Sequence, residues 1–421
     1  MGEWLGHTIE LTPTGIAHGG YSVARLDGRV VFVSDAIPGE TVLARVTDDS
    51  KASFWWAETL SVVTPSEHRV PHIWHEADVS RDPEKRVGGA DYGHIALSHQ
   101  RELKKDVLRD ALIRFGKVDP ATVSLLADKV EALAGDDKAN GLGWRTRVRL
   151  HTDERGHVGP RARKSHDVIR VSSLPLASAG INQIAPLSDE YGNVGSVDVL
   201  SPSVGDPRLI VGHQKPTVIK ERVGNREFRV DDNGFWQVHR EAPAALTAAV
   251  QAAIDMDRFD ATAYNLDLYG GVGLLAAALA DVGGTSTRIT SIEATERATE
   301  HAGENLAEWV GAFAETAKVD RWLSALDRRA TPAERSRLEA ATVILDPPRT
   351  GAGRDVMALL TRLAPAQLVY VACDPVALAR DVAFATAAGY RLSRLTALDM
   401  FPHTHHVEAV ATLVRESPTA E

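Results

Sequence analysis

Tyr264-Asn265-Leu266-Asp267-Leu268-Tyr269-Gly270-Gly271-Val272-Gly273, running on into Leu274 to Ala280, decides the reading of this chain. A β-type apolar run passes into a glycine-rich turn and then into an Ala- and Leu-rich helix. Glycine in such a turn lets the backbone pass close to a ligand where a side chain would collide. Further on, a second strand pattern, Ile289-Thr290-Ser291-Ile292, ends in Glu293, a carboxylate placed for ribose hydroxyls. From about Phe235 onward strands alternate with Ala-rich helices, the rhythm of a parallel sheet with helices on both faces. The turn lacks the phosphate-cradling Gly-x-Gly-x-x-Gly form, so the expected nucleoside cofactor is S-adenosylmethionine rather than a dinucleotide.

Outward from that segment the chain predicts a three-part α/β protein. Residues 1–64 alternate apolar and polar positions, as in Arg29-Val30-Val31-Phe32-Val33, and read as a small β-barrel. Residues 65–232 predict a central domain, with a helix over Leu97 to Phe115 and a strand-rich region beginning at Trp144. Residues 233–421 predict a Rossmann-like, doubly wound domain. The 421 residues are 44% hydrophobic and 25% charged, which places them with soluble, multi-domain proteins. A single cysteine precludes an intramolecular disulfide and fits a reducing compartment. With no basic leader and no membrane-length apolar run, a cytoplasmic protein with no membrane partner is expected. The net charge of −10 means that any nucleic acid must be met by local basic patches.

The one cysteine, Cys373, follows the apolar run Leu368 to Ala372 and precedes Asp374-Pro375. A thiol at a strand end is a candidate nucleophile, although cysteine alone is more often a small buried hydrophobe. Its company favours chemistry: Asp346-Pro347-Pro348-Arg349 ends the preceding strand-like run, and Met400-Phe401-Pro402-His403-Thr404-His405-His406-Val407-Glu408 lies downstream.

In order and spacing, Phe235-Trp236-Gln237-Val238, Asp267 to Gly273, Asp346-Pro347-Pro348-Arg349, Cys373-Asp374-Pro375 and His406-Val407-Glu408 resemble the RNA (uracil-5-)-methyltransferase family. The barrel resembles a TRAM domain, with Gly15 to Gly20 and Ala36-Ile37-Pro38-Gly39-Glu40 in its turns. The resemblance implies methyl transfer from S-adenosylmethionine to carbon 5 of a uridine in tRNA or rRNA. It implies Cys373 as the nucleophile that adds to carbon 6 and Glu408 as the base that removes the carbon-5 proton. It places Gln237, Tyr269, Glu293 and Asp346 at cofactor-contacting positions. Arg349 is a possible enolate or phosphate partner, or an ordinary salt bridge. RNA-directed cytosine-5 enzymes commonly carry a second cysteine, which this chain lacks; RNA rather than DNA is the expected partner, bound by a monomer.

The chain departs from the family in one respect. Many members ligate an iron–sulfur cluster through four cysteines, whose positions here match Val70, Val87, Ala90 and Leu174, so no such cluster is expected and a small apolar core is expected in its place. His403 and His405 alternate as a metal-binding pair would, but they sit inside the methyltransferase motif. Arg145, Arg147 and Arg149, with Arg161, Arg163 and Lys164, read either as a phosphate strip or as a solvated face. Phe54, Trp55 and Trp56 read either as base-stacking rings or as barrel core. A small-molecule methyltransferase would leave the barrel without a purpose, and a non-catalytic RNA-binding protein would leave Cys373 and Glu408 without one.

Overall fold

The computed structural model describes residues 3–192 and 194–416; Met1, Gly2 and positions 417–421 of the expected C-terminal domain lie outside it. Six strands open the chain: β1 (Thr8–Leu11), β2 (Gly15–Ala17), β3 (Tyr21–Leu26), β4 (Arg29–Ser34), β5 (Thr41–Asp48) and β6 (Phe54–Thr64). They form one sheet in the order β1-β5-β6-β4-β3-β2. Because side chains alternate across a strand, every second residue turns inward. Val31, Val33, Val42, Ala44, Val46, Trp55 and Ala57 thereby make one apolar core. The aromatic triplet is split by that parity: Trp55 is core, while Phe54 and Trp56 face outward and stay half-buried.

Two helices follow, α1 (Leu97–Arg114) and α2 (Pro120–Leu126), and then the short strand β7 (Val130–Ala132). Strands β8 (Arg147–Thr152), β9 (Val158–Gly159), β10 (Ser196–Leu200) and β11 (Arg208–Val211) form a four-stranded sheet with α3 (Ala179–Ile184) beside it. β12 (Val218–Val223) and β13 (Arg226–Asp231) are a separate hairpin. The 65–232 stretch is therefore not one body, because β7 pairs in parallel with a strand of the C-terminal sheet and α1 packs on a C-terminal helix. Three residues are too few to show a strand period in the sequence.

Where the family's cysteines would stand, Val87, Ala90 and Leu174 lie in one buried apolar cluster with Trp74 and Trp144. Val70 does not join it: it is half-buried, and its N–H donates to His94 O. Beside the cluster, Asp35 of the barrel bonds Arg86 at 3.0 Å and Arg163 at 2.6 Å. Burial alone would raise the Asp35 carboxyl, but the two guanidinium groups outweigh it and hold it down at about 2. This buried ion triad ties the barrel to the central domain.

The C-terminal unit contains α4 (Ala242–Ala253), β14 (Asn265–Leu268), α5 (Leu274–Gly283), β15 (Ile289–Glu293), α6 (Glu296–Asn305), β16 (Ala312–Thr316), α7 (Val319–Arg329), α8 (Pro332–Glu339), β17 (Thr342–Leu345), α9 (Gly353–Leu363), β18 (Gln367–Ala372), α10 (Pro375–Ala387), β19 (Tyr390–Asp399) and β20 (Glu408–Arg415). The sheet runs β16-β15-β14-β17-β18-β20-β19-β7. β14 through β18 are mutually parallel, and β20 runs antiparallel to both its neighbours. β14, β17 and β18 are buried at every position, as strands covered on both faces must be. The chain order reverses at β14, where the carboxyl ends of adjacent strands open a crevice.

The loop between β19 and β20 is pinned by α1. Lys104 Nζ, fully buried, donates to Asp399 Oδ1 and, at 3.0 Å, to Phe401 O. Arg101 Nε donates to Asp399 Oδ2 at 3.1 Å, and the His403 N–H donates to Gln100 Oε1 at 2.8 Å. Asp399→Asn would leave the Lys104 ammonium buried with its counter-charge gone, an expected loss of about 3 kcal/mol in urea unfolding. Adding Lys104→Met should restore most of it; a single variant as stable as the parent would show that the pair does not hold this loop.

Candidate active site

The candidate residues line up along one edge because the strands bearing them end together. Leu268 pairs with Ile292 and with Leu345, so one step further Tyr269 lies between Glu293 and Asp346. Ala372 pairs with Ala409, so one step further Cys373 lies opposite Glu408. The structure thus brings Glu293, Tyr269, Asp346, Cys373 and Glu408 to the carboxyl-end rim of the sheet. Gln237 arrives from the loop after β13, whose neighbour Val238 accepts from the Thr146 N–H and hydroxyl at 2.7 and 3.0 Å.

The turn after β14 carries backbone strain. Tyr269 has φ +64°, a left-handed conformation that a bulky residue adopts only when its surroundings enforce it. A Cβ on Gly270 would stand 1.9 Å from Ser291 Oγ, so no other residue fits there. The Gly271 N–H donates to Glu293 Oε2 at 3.2 Å, which sets the carboxylate over the turn.

Three further features fit a cationic nucleoside such as S-adenosylmethionine. Asp267 is fully buried, its Oδ2 accepts from Ser291 Oγ at 3.0 Å, and its Oδ1 has no partner among the described residues. Burial pushes its carboxyl up to about 7, with Glu293 adding to the rise. Asp346 is raised in the same direction by burial and by Asp267. A cluster of carboxyl groups at neighbouring strand ends favours a positively charged ligand. Tyr269, Glu293 and Asp346 end adjacent strands beside the Asp267 carboxyl group.

Cys373 and Glu408 show the same electrostatics. Glu408 is almost fully buried, and its carboxyl is pushed well above the ordinary range by burial and by Asp346. Burial, Glu408 and Asp346 together push the Cys373 thiol up to about 11, and Arg349 only partly offsets them. The resting sulfur is therefore a protonated thiol with carboxyl groups around it.

The neighbouring motif residues divide by role. Asp374 caps α10, accepting from the Val376 and Ala377 N–H groups at 3.0 and 2.8 Å, and pairs with His18 of the barrel at 3.1 Å. Arg349 donates from Nη2 to His406 Nε2 at 3.3 Å. That ring must accept, in keeping with a His406 pKa pushed down to about 3 by burial, His405 and Arg349. His403 and His405 do not share a ligand: the first bonds Asn140 O and Gln100, the second Asp91. Of the arginine run, Arg147 turns inward to Gly234 O at 2.8 Å and to Glu221, and Arg149 is held bidentately by Asp198. Those two are structural.

Two positioning groups escaped the sequence reading. Asp381 of α10 accepts from the Ala352 and Gly353 N–H groups and from the Tyr370 hydroxyl, fixing the loop that starts at Asp346. Asp91 accepts from the His405 N–H at 3.0 Å and from its ring, holding the segment that leads to Glu408. Asp91 falls inside the segment matching the family's cluster motif, which was the only signal available for it.

Cys373 is the chain's single cysteine, so its titration can be followed without interference. Alkylation by iodoacetamide should be slow at neutral pH and still climbing well above the ordinary thiol value of about 8.5. Glu408→Gln, which removes a neighbouring negative charge, should shift the midpoint downward. A midpoint at or below the ordinary value in the parent protein would overturn this electrostatic picture.

The chain's relatives carry the same architecture. A family model described as tRNA (Uracil-5-)-methyltransferase matches residues 223–416, and a TRAM domain model matches residues 4–53. An RNA methyltransferase of Streptomyces avermitilis, itself uncharacterised, is 33% identical over 98% of both chains. A 23S rRNA (uracil(1939)-C(5))-methyltransferase of Shewanella is 27% identical, covering 94% of this chain and 93% of its own. The crystal structure of the Pyrococcus abyssi tRNA (uracil-54, C5)-methyltransferase in complex with S-adenosyl-L-homocysteine superposes with a TM-score of 0.65 at 22% identity, covering 96% of this chain and 99% of that one, which establishes the shared fold. With full-length relatives, both domain models and the strand-end motifs in agreement, this chain belongs to the RNA (uracil-5-)-methyltransferase family, S-adenosylmethionine-dependent enzymes that act on RNA.

Proposed function

We propose that this protein methylates carbon 5 of a uridine in ribosomal or transfer RNA through a covalent bond between Cys373 and the pyrimidine. The observation that carries the proposal is the register of β18 against β20, which sets the only thiol opposite a buried carboxyl group with Asp346 on the next strand. S-adenosylmethionine, held by Gln237, Tyr269, Glu293 and Asp346, supplies an electrophilic methyl group on a sulfonium.

Carbon 5 of uracil is a poor nucleophile. As the base enters, the Cys373 proton passes to a neighbouring carboxylate and the sulfur electron pair forms a bond to carbon 6. The displaced π electrons make carbon 5 part of an enolate, with Arg349 near enough to the pocket to offset the charge on the ring oxygen or an adjoining phosphate. Once carbon 5 carries the methyl group, Glu408 removes the remaining proton there. The electrons of that C–H bond re-form the C5–C6 double bond and expel the sulfur, which takes back a proton. A protonated resting thiol limits reaction with other electrophiles until a base is seated.

The target base must leave its stack to reach Cys373, so loops and other unpaired regions are the accessible substrates. We propose a monomer as the working unit. We also propose the division into barrel, central and methyltransferase domains near residues 64 and 232, with 97–132 assigned to the last of these.

RNA from cells lacking the protein, labelled with tritium at uridine carbon 5, provides the test. The parent protein with S-adenosylmethionine should release one tritium per methyl group transferred, and Cys373→Ala should do neither. Fractionating ribosomal from transfer RNA identifies the substrate class. Turnover by Cys373→Ala would contradict the proposed mechanism.

A further inference from the structure

The barrel has an aromatic surface that the catalytic chemistry does not use. β3, β4 and β6 lie side by side, with Val23 paired to Phe32, Phe32 to Trp56 and Val30 to Phe54. Strand parity puts the core residues Ala24, Val31, Val33, Trp55 and Ala57 inside, and so turns Tyr21, Val23, Arg25, Val30, Phe32, Phe54 and Trp56 outward. Four rings gather there. The Phe32 and Trp56 centroids are 4.8 Å apart and tilted by 31°, Tyr21 meets Trp56 edge-on at 4.6 Å, and Phe54 lies 5.7 Å from Phe32. After packing on one another the rings are still only half-buried, so each keeps area open to solvent. The outer face of a small barrel is ordinarily polar, and this one is not.

Position and charge say what the surface meets. One end continues into the active site: His18 pairs with Asp374, the residue after the candidate nucleophile, and Gly20 lies so close to His405 that an added Cβ would stand 2.9 Å from that side chain. Tyr21 follows directly. At the other end stands Arg25, exposed, its only hydrogen bond among the described residues a 3.4 Å contact to Gly28 O. Along the flank, Lys164 is exposed and reaches Glu58 of β6 at 3.5 Å, and Arg161 is exposed nearby in sequence. In a chain of net charge −10, aromatic rings bordered by cations and leading away from a uridine-modifying pocket match a single strand of nucleic acid.

We propose that Tyr21, Phe32, Phe54 and Trp56 form a stacking platform for unpaired nucleotides flanking the target uridine, with Arg25 and Lys164 on the backbone phosphates. This rests on the RNA-modifying reading above and adds a residue-level substrate path to it. The platform holds the strand on one side of the extruded base, and stacking of this kind tolerates sequence because every base has a π face.

The full-length protein and an oligouridylate of about 12 nucleotides carrying 5-iodouridine test it. Binding should quench tryptophan fluorescence in the parent. Trp56→Ala should weaken binding about tenfold or more, as should Phe32→Ala, because a lost base stack is worth about 1–3 kcal/mol. Arg25→Ala should flatten the salt dependence. Photo-crosslinks should map to β3, β4 or β6. In methyl-transfer assays on RNA, Trp56→Ala should raise KM and leave kcat unchanged. Unaltered binding by a variant with parental circular dichroism, crosslinks confined to other surfaces, or a shift in oligomeric state in place of weaker binding would each overturn the platform. Since oligonucleotide binding is read without turnover, a parent protein that binds but methylates no RNA would count against the proposed function alone.

Discussion

The site is governed by the crowding of acidic groups at the ends of neighbouring strands. Asp267, Asp346 and Glu408 lie near one another and the thiol of Cys373, and each pushes another's proton affinity upward. Such a cluster favours a positively charged ligand and resists a resting thiolate. Cofactor choice and nucleophile control therefore have a common origin. The sheet enforces the crowding, because parallel strands β14, β15, β17 and β18 all deliver their carboxyl ends to one edge and antiparallel β20 delivers its amino end there.

Holding the buried Glu408 in place requires the segment before it to be rigid, and the chain uses distant partners for that. Gln100 and Lys104 of α1 grip the loop from Asp399 to His403, and Asp91 grips His405. The barrel reaches the same region through the His18–Asp374 pair, so it also touches the residue next to Cys373. Val87, Ala90 and Leu174 pack in one apolar cluster, and the Asp35 ion triad lies beside it.

Much of this was legible in the sequence for a simple reason: motifs at strand ends are short and contiguous. The glycine turn at Gly270 to Gly273, Asp346 and its prolines, Cys373 and Glu408 each announced themselves locally. Their convergence needed the sheet order. The opposition of Cys373 and Glu408 depends on β20 inserting beside β18, which no local pattern encodes. Gln100 and His403 are 303 positions apart, beyond the reach of any periodicity. The arginine run showed its alternation but not the carboxylates of Glu221 and Asp198 that occupy two of its members. Likewise Phe54-Trp55-Trp56 offered two readings, and only the inward turn of Trp55 separated core ring from surface rings.

Mass spectrometry of Glu408→Gln incubated with S-adenosylmethionine and RNA, then digested with nuclease and protease, examines the covalent step most directly. The account requires the peptide containing Cys373 to carry a methylated uridine, retained because the carbon-5 proton can no longer be removed. An unmodified Cys373 peptide in a variant that still binds RNA and cofactor, or an adduct on any other residue, would contradict it.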